Sequence, residues 1–254
     1  MTIKTPKRTR SQANIWINGV SGRMGQNILA LLNESKEFTY LGGSDQANLI
    51  KPSLISQSDI IIDFSSAGGN LLLLNAAKKM RSTKFLIGTT GLTAARFTQW
   101  KAVANKNKHL VLFAPNTSFG IYLLSTQVGN FASELASKDW DIEIIETHHN
   151  KKTDSPSGTA KFLARRIASA CPGFRVAGSH SGPRVSKTIG VHAVRGGGVT
   201  GEHEIRFIGK HEEISITHRA FSRSLFAEGA LVFSKMLVNS RKSGCFQLED
   251  FQIY

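Results

Sequence analysis

Between Glu146 and Ala160 the chain reads Glu-Thr-His-His-Asn-Lys-Lys-Thr-Asp-Ser-Pro-Ser-Gly-Thr-Ala, and this segment concentrates the groups able to do chemistry. Two adjacent histidines, Lys152 and a Ser157-Gly158-Thr159 turn fall within twelve residues, with Pro156 just ahead of the turn. Histidine is the side chain whose ordinary pKa best suits proton transfer near neutral pH. Lys152 offers a compact cation for a carboxylate or a developing negative charge. The turn opens a helix, and the first N–H groups of a helix hold anions. Ser157 and Thr159 serve equally as simple N-caps, and capping and ligand binding draw on the same groups. The combination suits a small dicarboxylate that is held and then protonated. His148 and His149 leave a strand, where neighbours point to opposite sides, so the two imidazoles have different parts to play.

A second cluster lies near the N-terminus. Gly19-Val20-Ser21-Gly22-Arg23-Met24-Gly25 follows a short apolar run and opens a helical pattern. Glycine is needed at a tight turn, at the backbone's approach to a pyrophosphate, and where helix and strand pack closely. Gly19, Gly22 and Gly25 fill those places in a G-x-x-G-x-x-G spacing, which departs from the usual G-x-G-x-x-G, and Arg23 adds a charge beside the phosphates. Asp45 lies twenty residues beyond Gly25, where a carboxylate either binds the adenosine ribose or caps a turn. Its neighbour Gln46 carries no charge to receive a 2′-phosphate, although Lys51 lies nearby, so NADH is expected to be preferred over NADPH. Phe64, the Gly88-Thr89-Thr90 run and Ala114-Pro115-Asn116-Thr117 close three further strands. They complete the crevice in which a nicotinamide would sit.

The elements that position these groups follow from periodicity. Strands are expected at 15–17, 38–43, 59–64, 85–87 and 110–113, and helices at 25–32, 70–80 and 92–105. The run Asp59-Ile60-Ile61-Ile62-Asp63-Phe64 is apolar throughout its middle, as in a strand buried on both faces. Alternation of this kind argues for a Rossmann-like, doubly wound parallel sheet. After Phe119 the rhythm changes. A long helix over 121–136, an alternating strand over 141–146 and a helix over 157–170 come first. Strands over 188–194, 202–208 and 213–217 and a last helix over 225–238 follow. This predicts an α/β protein with a C-terminal α+β domain. Residues 13–119 and 224–254 would form the dinucleotide-binding domain, 120–223 a substrate-binding and oligomerisation domain, and 1–12 a disordered basic tail.

Composition narrows the class. The chain has 254 residues, a formal net charge of +14 and only two cysteines, Cys171 and Cys245, without metal-type spacing. No metal site, reduced thiols and a cytoplasmic location are expected. No apolar run is long enough to cross a bilayer, so no membrane partner is expected. The positive charge fits nucleic acid, an anionic substrate with a phosphate-bearing cofactor, or a generally basic surface. It is scattered along the chain and aromatics make up only 8%, which argues against a nucleic-acid partner.

Taken together, the glycine loop, the Gly88–Gly91 and Ala114–Asn116 turns, the Glu146–Ala160 segment and the stretch from Thr188 to His203 resemble the 4-hydroxy-tetrahydrodipicolinate reductase family over nearly the whole chain from Ala13 on. The resemblance implies a two-domain fold, reduction of a cyclic imine dicarboxylate with NAD(P)H in lysine and diaminopimelate synthesis, and a homotetramer built through the C-terminal sheet. It implies that His148 donates the proton and that Lys152 assists protonation and binds substrate. His149, Ser157, Gly158 and Thr159 would contact the substrate. The chain departs from the family pattern in a short 45–59 stretch and in Gln46, which stands where an arginine is familiar.

Overall fold

The computed structural model describes residues 12–179, 182–248 and 251, so residues 1–11 of the expected basic tail lie outside the described residues. The chain divides into two compact units, one running to Thr117 and resuming at Phe226, the other spanning Ser118–Leu225.

The first unit alternates strand and helix: β1 (Ala13–Asn18), α1 (Arg23–Asn33), β2 (Phe38–Ser44), a short α2 (Pro52–Ile55), β3 (Ile60–Asp63), α3 (Ala67–Ala77), β4 (Lys84–Ile87), α4 (Ala94–Asn107) and β5 (Leu110–Phe113). The strand pairings among them are parallel. All four residues of β3 are buried, as a strand covered on both faces requires. Hydroxyl caps set the starts of α3 and α4. Ser66 accepts from Gly69 N–H and Thr93 from Arg96 N–H, so α3 begins three residues before the spacing of its apolar residues suggests. Lys108, in the left-handed conformation at φ 57°, ends α4.

The second unit holds α5 (Phe119–Ala136), β6 (Asp141–His148), α6 (Gly158–Ala170), β7 (Arg175–Val176), β8 (Thr188–Arg195), β9 (Glu202–Ile208) and β10 (Glu213–Arg219). Its sheet is mixed, in the order β10-β9-β6-β8-β7, with β6 parallel to β8 and antiparallel to β9. Burial alternates strictly along β6, and its inner face presents Ile142, Ile144, Glu146 and His148 in turn. The first two join Val128 of α5, Leu163 and Ile167 of α6 and Phe207 of β9 in an apolar core. Glu146 and His148 continue that row past the end of the apolar core.

The chain then returns to the first unit with α7 (Ser224–Asn239) and β11 (Gly244–Gln247). β11 pairs in parallel with β5, giving the six-stranded order β11-β5-β4-β3-β1-β2. The Thr117 hydroxyl donates to the Phe226 carbonyl at 2.7 Å, tying the end of the β5 turn to the start of α7.

Candidate active site

In the first unit, the β1–α1 loop is shaped by absent side chains. Gly19 has φ +89°, and a Cβ there would lie 2.6 Å from the Phe64 carbonyl oxygen. A Cβ on Gly25 would lie 2.3 Å from the Gly19 carbonyl oxygen, so helix and loop pack backbone to backbone. Helices α3, α4, α5 and α6 each begin on a Ser or Thr hydroxyl. Helix α1 begins on Gly22, which brings no side-chain cap, so its start is the kind of helix N-terminus that can receive an anion.

A trench runs along the carboxyl ends of the strands of this unit. Its larger part, about 840 Å³, is lined by Gly19, Ser21, Gly22, Asp45, Leu49 and Phe64 among others. Its smaller part, about 360 Å³, is lined by Arg23, Met24, Gly88, Thr90, Pro115 and Phe226, with Thr89 and Thr117 alongside. Phe64 and Ser65 border both parts. Val20, Gly25, Ala114 and Asn116 line neither part. Gly25 is buried in α1 against the Gly19–Val20 backbone, Ala114 is buried just past β5, and Val20 packs against Gly43. The size and the division of the trench suit a dinucleotide.

The Asp45 carboxylate accepts from the N–H groups of Ala47 and Asn48 at 2.9 and 2.7 Å. The Asn48 N–H, with help from Ser21 and Ala47, holds it below the usual carboxylate range. The carboxylate thus caps its turn and at the same time puts a negative charge on the wall of the larger part of the trench. A buried carboxylate that sequence reasoning missed, Asp63, organises the floor. It accepts from Asn18 at 2.8 Å, Asn70 at 2.7 Å and the Ser65 hydroxyl at 2.5 Å. Burial pushes it up from its ordinary value despite these bonds.

In the second unit, β6 delivers His148 to the start of α6. The imidazole Nδ1 is hydrogen-bonded to Oε2 of Glu146. Glu146 is fully buried and also accepts from both terminal nitrogens of Arg195, at 2.9 and 2.7 Å, and from the Ser157 N–H at 2.9 Å. Burial acts to raise the Glu146 pKa, but Arg195, His148 and Ser157 outweigh it and hold the group below its usual range. For His148 burial is the leading effect and lowers its pKa, with Glu146 opposing and Lys152 and Arg195 reinforcing. Ser157 caps α6, accepting from Ala160 N–H at 3.1 Å, and its hydroxyl lies 3.0 Å from Nε2 of His203. His203 packs edge-on against His148 with ring centroids 5.2 Å apart. Burial, then the neighbouring His148, brings His203 down to about 4.

Lys152 sits in the loop before α6, and its ammonium is 2.7 Å from the Asp154 carboxylate. That bond, aided by the Gly158 N–H, holds Asp154 below its usual range. The loop thus already binds one carboxylate with the two groups assigned to a substrate carboxylate. His149 is half-buried just past the strand end, and its carbonyl accepts from Lys152 N–H at 3.1 Å. Gly158 and Thr159 form the first turn of α6. The structure brings His148, Ser157 and the Lys152 loop together, and it adds Glu146, Arg195 and His203, to which sequence reasoning gave no role. Among the described residues, no group of three or more His, Cys, Asp or Glu side chains is placed to hold a metal ion, and no helix is long and apolar enough to cross a membrane.

Sequence comparison matches both halves of the chain to one family. The model described as "Dihydrodipicolinate reductase, N-terminus" matches residues 13–117, and "Dihydrodipicolinate reductase, C-terminus" matches residues 120–251. The 4-hydroxy-tetrahydrodipicolinate reductase of Methanosarcina acetivorans is 39% identical, over 93% of this chain and 98% of its own length. That of Caldanaerobacter subterraneus is 36% identical, over 92% and 96%. Among solved structures, dipicolinate-bound dihydrodipicolinate reductase from Paenisporosarcina sp. TG-14 superposes with a TM-score of 0.77 at 24% identity, over 95% of this chain and all of the other. A diaminopimelate dehydrogenase from C. glutamicum, at 10% identity and a TM-score of 0.56, shares the fold over 94% of each chain.

Proposed function

The chain belongs to the dihydrodipicolinate reductase family, and from that premise we propose that it reduces 4-hydroxy-tetrahydrodipicolinate, after loss of water, to tetrahydrodipicolinate in lysine and diaminopimelate synthesis. The observation that carries the reading at residue level is the placement of His148 beside the N-terminus of α6 and the Lys152 loop.

The trench of the first unit would hold NAD(P)H, with its pyrophosphate on the uncapped start of α1. Bound reduced nicotinamide supplies a hydride to the ring carbon that has lost its hydroxyl. The residues of the second unit do the rest. Lys152 and the Gly158–Thr159 N–H groups, on exchanging the Asp154 carboxylate for those of the substrate, hold the dicarboxylate and fix the ring's orientation. His148 passes a proton to the neighbouring carbon. Burial lowers the pKa of its imidazole, so the charge of an arriving dicarboxylate adds to that of Glu146 in favouring the protonated form. Asp45, ionised and without a basic neighbour in sequence, supports a preference for NADH over NADPH. Cys171 and Cys245 are both free, consistent with a reducing cytoplasm. The assembly proposed is a homotetramer through the outer face of the second sheet, where Ile145 and Ile208 are only partly covered.

The test is a coupled assay with freshly generated hydroxy-tetrahydrodipicolinate, run with NADH and NADPH in parallel. Cofactor oxidation that depends on the dicarboxylate, faster at low concentrations of NADH than of NADPH, is expected. No oxidation with either cofactor refutes the function, and faster turnover with NADPH refutes the preference.

A further inference from the structure

An imidazole that delivers a proton must do so from one nitrogen, and its surroundings decide which. Glu146 and His148 stand two residues apart on the inner face of β6, so the carboxylate lies directly beneath the ring. A carboxylate has about four acceptor directions. Four N–H groups converge on this one: Nδ1 of His148, both terminal nitrogens of Arg195 and the backbone of Ser157. Arg195 reaches it from β8 in a two-pronged grip, and the same guanidinium donates to the Asp154 carbonyl at 2.7 Å. One ion pair therefore joins the imidazole, the start of α6 and the loop that carries Lys152. On the opposite edge of the ring, a Cβ on Gly201 would lie 3.0 Å from Nε2, so glycine there keeps that nitrogen uncrowded.

We infer that Glu146, locked by Arg195 and the Ser157 N–H, is a positioning residue that keeps Nδ1 of His148 turned inward and makes Nε2 the nitrogen that hands over the proton. The inference rests on the proposed role of His148 as acid. In the step itself the Nε2–H bond breaks and a C–H bond forms. The electron pair stays on Nε2, the ring becomes neutral with its remaining proton on Nδ1, and Glu146 stays ionised throughout. The charged and titratable groups around the ring are Glu146 on β6, Arg195 on β8, His203 on β9, and Lys152 with Asp154 in the loop. Of these, Glu146 is the one in direct contact that favours the protonated ring, and Arg195 is its counter-charge.

Glu146→Gln keeps the shape and removes the charge. Its kcat is expected to fall at least tenfold, to about a hundredfold, with the KM for the dicarboxylate within about threefold of wild type. Because the ring loses the neighbour that favours its charged form, the pH above which kcat declines should move lower. A purely structural role would leave that pH in place. Arg195→Lys keeps the positive charge but loses the two-pronged grip, and should fall between wild type and Glu146→Gln. Nitrogen-15 NMR of the histidine-labelled wild-type protein, with His148 assigned against His148→Gln, needs no folded Glu146 variant. With the ring neutral, Nδ1 should carry the proton. A neutral ring protonated on Nε2, or a Glu146→Gln enzyme with wild-type kcat and an unmoved pH profile, overturns the inference. Failure of the proposed function looks different: the wild-type enzyme would not oxidise nicotinamide with the dicarboxylate, and the NMR result would still decide the tautomer.

Discussion

His203 makes folding of this protein sensitive to acid, by an amount that can be worked out. The ring is buried, its Nε2 lies 3.0 Å from the Ser157 hydroxyl, and its Nδ1 is buried without a hydrogen-bond partner among the described residues. A second proton would place a charge against His148 and leave the Nδ1–H without an acceptor. Burial first, and the neighbouring His148 after it, push the ring in the folded protein down to about 4, against 6.5 for an ordinary histidine. As the pH falls through 6.5 the unfolded chain takes up this proton and the folded chain does not, so stability falls until the pH reaches the folded-state value. The cost is about 2 kcal/mol at pH 5 and about 3 kcal/mol once the pH is below 4. Histidines 109, 148 and 218 are shifted in the same direction and add to the slope. His203→Gln retains a nitrogen able to reach Ser157 and removes the titration. Urea unfolding at fixed protein concentration, from pH 7.5 to 5, should show wild type losing about 2 kcal/mol more than the variant. Parallel curves for the two proteins would refute the reasoning, whatever their absolute stabilities.

Other expectations follow from the two half-sites. Lys152→Ala should raise the KM for the dicarboxylate about tenfold with a smaller effect on that for NADH, and unchanged steady-state constants would remove it from the site. Asp45→Ala should raise the KM for NADH about tenfold and narrow the gap to NADPH, whereas an unaltered ratio of kcat/KM values would mean that this carboxylate only caps its turn. Gly201→Ala should lower kcat by crowding Nε2 of His148 while leaving nicotinamide binding intact, as judged by fluorescence titration. Because His148 is depressed by burial in the free enzyme and raised again beside a dianion, kcat/KM should decline at a lower pH than kcat, and coincident profiles would contradict this.

The parts legible in the sequence were those encoded locally. The glycine loop, the continuous apolar run of β3, the alternation of β6 and the cap of α6 each arise from neighbouring residues, and their elements fall within a few residues of expectation. The groups that were missed come from pairing at a distance. Parallel pairing of β6 with β8 sets Arg195 opposite His148, and antiparallel pairing with β9 sets His203 opposite Glu146. Periodicity assigns each of these residues to a strand but not to a register, so it cannot bring a guanidinium 49 residues away onto a buried carboxylate. Asp63 was hidden in the same way, because Asn18 and Asn70 reach it from β1 and α3. β11 and β7 are short edge strands, of four and two residues, whose composition carries no alternating pattern. Edge strands of that length are fixed by the strand they join rather than by their own side chains.

The most direct measurement compares wild type with His148→Ala in turnover of freshly generated hydroxy-tetrahydrodipicolinate with NADH, and records NADH binding for both by fluorescence titration. Wild type should oxidise NADH only when the dicarboxylate is present. The variant should bind NADH equally well and turn over slower by about two orders of magnitude or more. A wild-type enzyme inert toward the dicarboxylate, or a variant that matches it, would contradict the reading of His148 as the proton donor of a nicotinamide-dependent reductase.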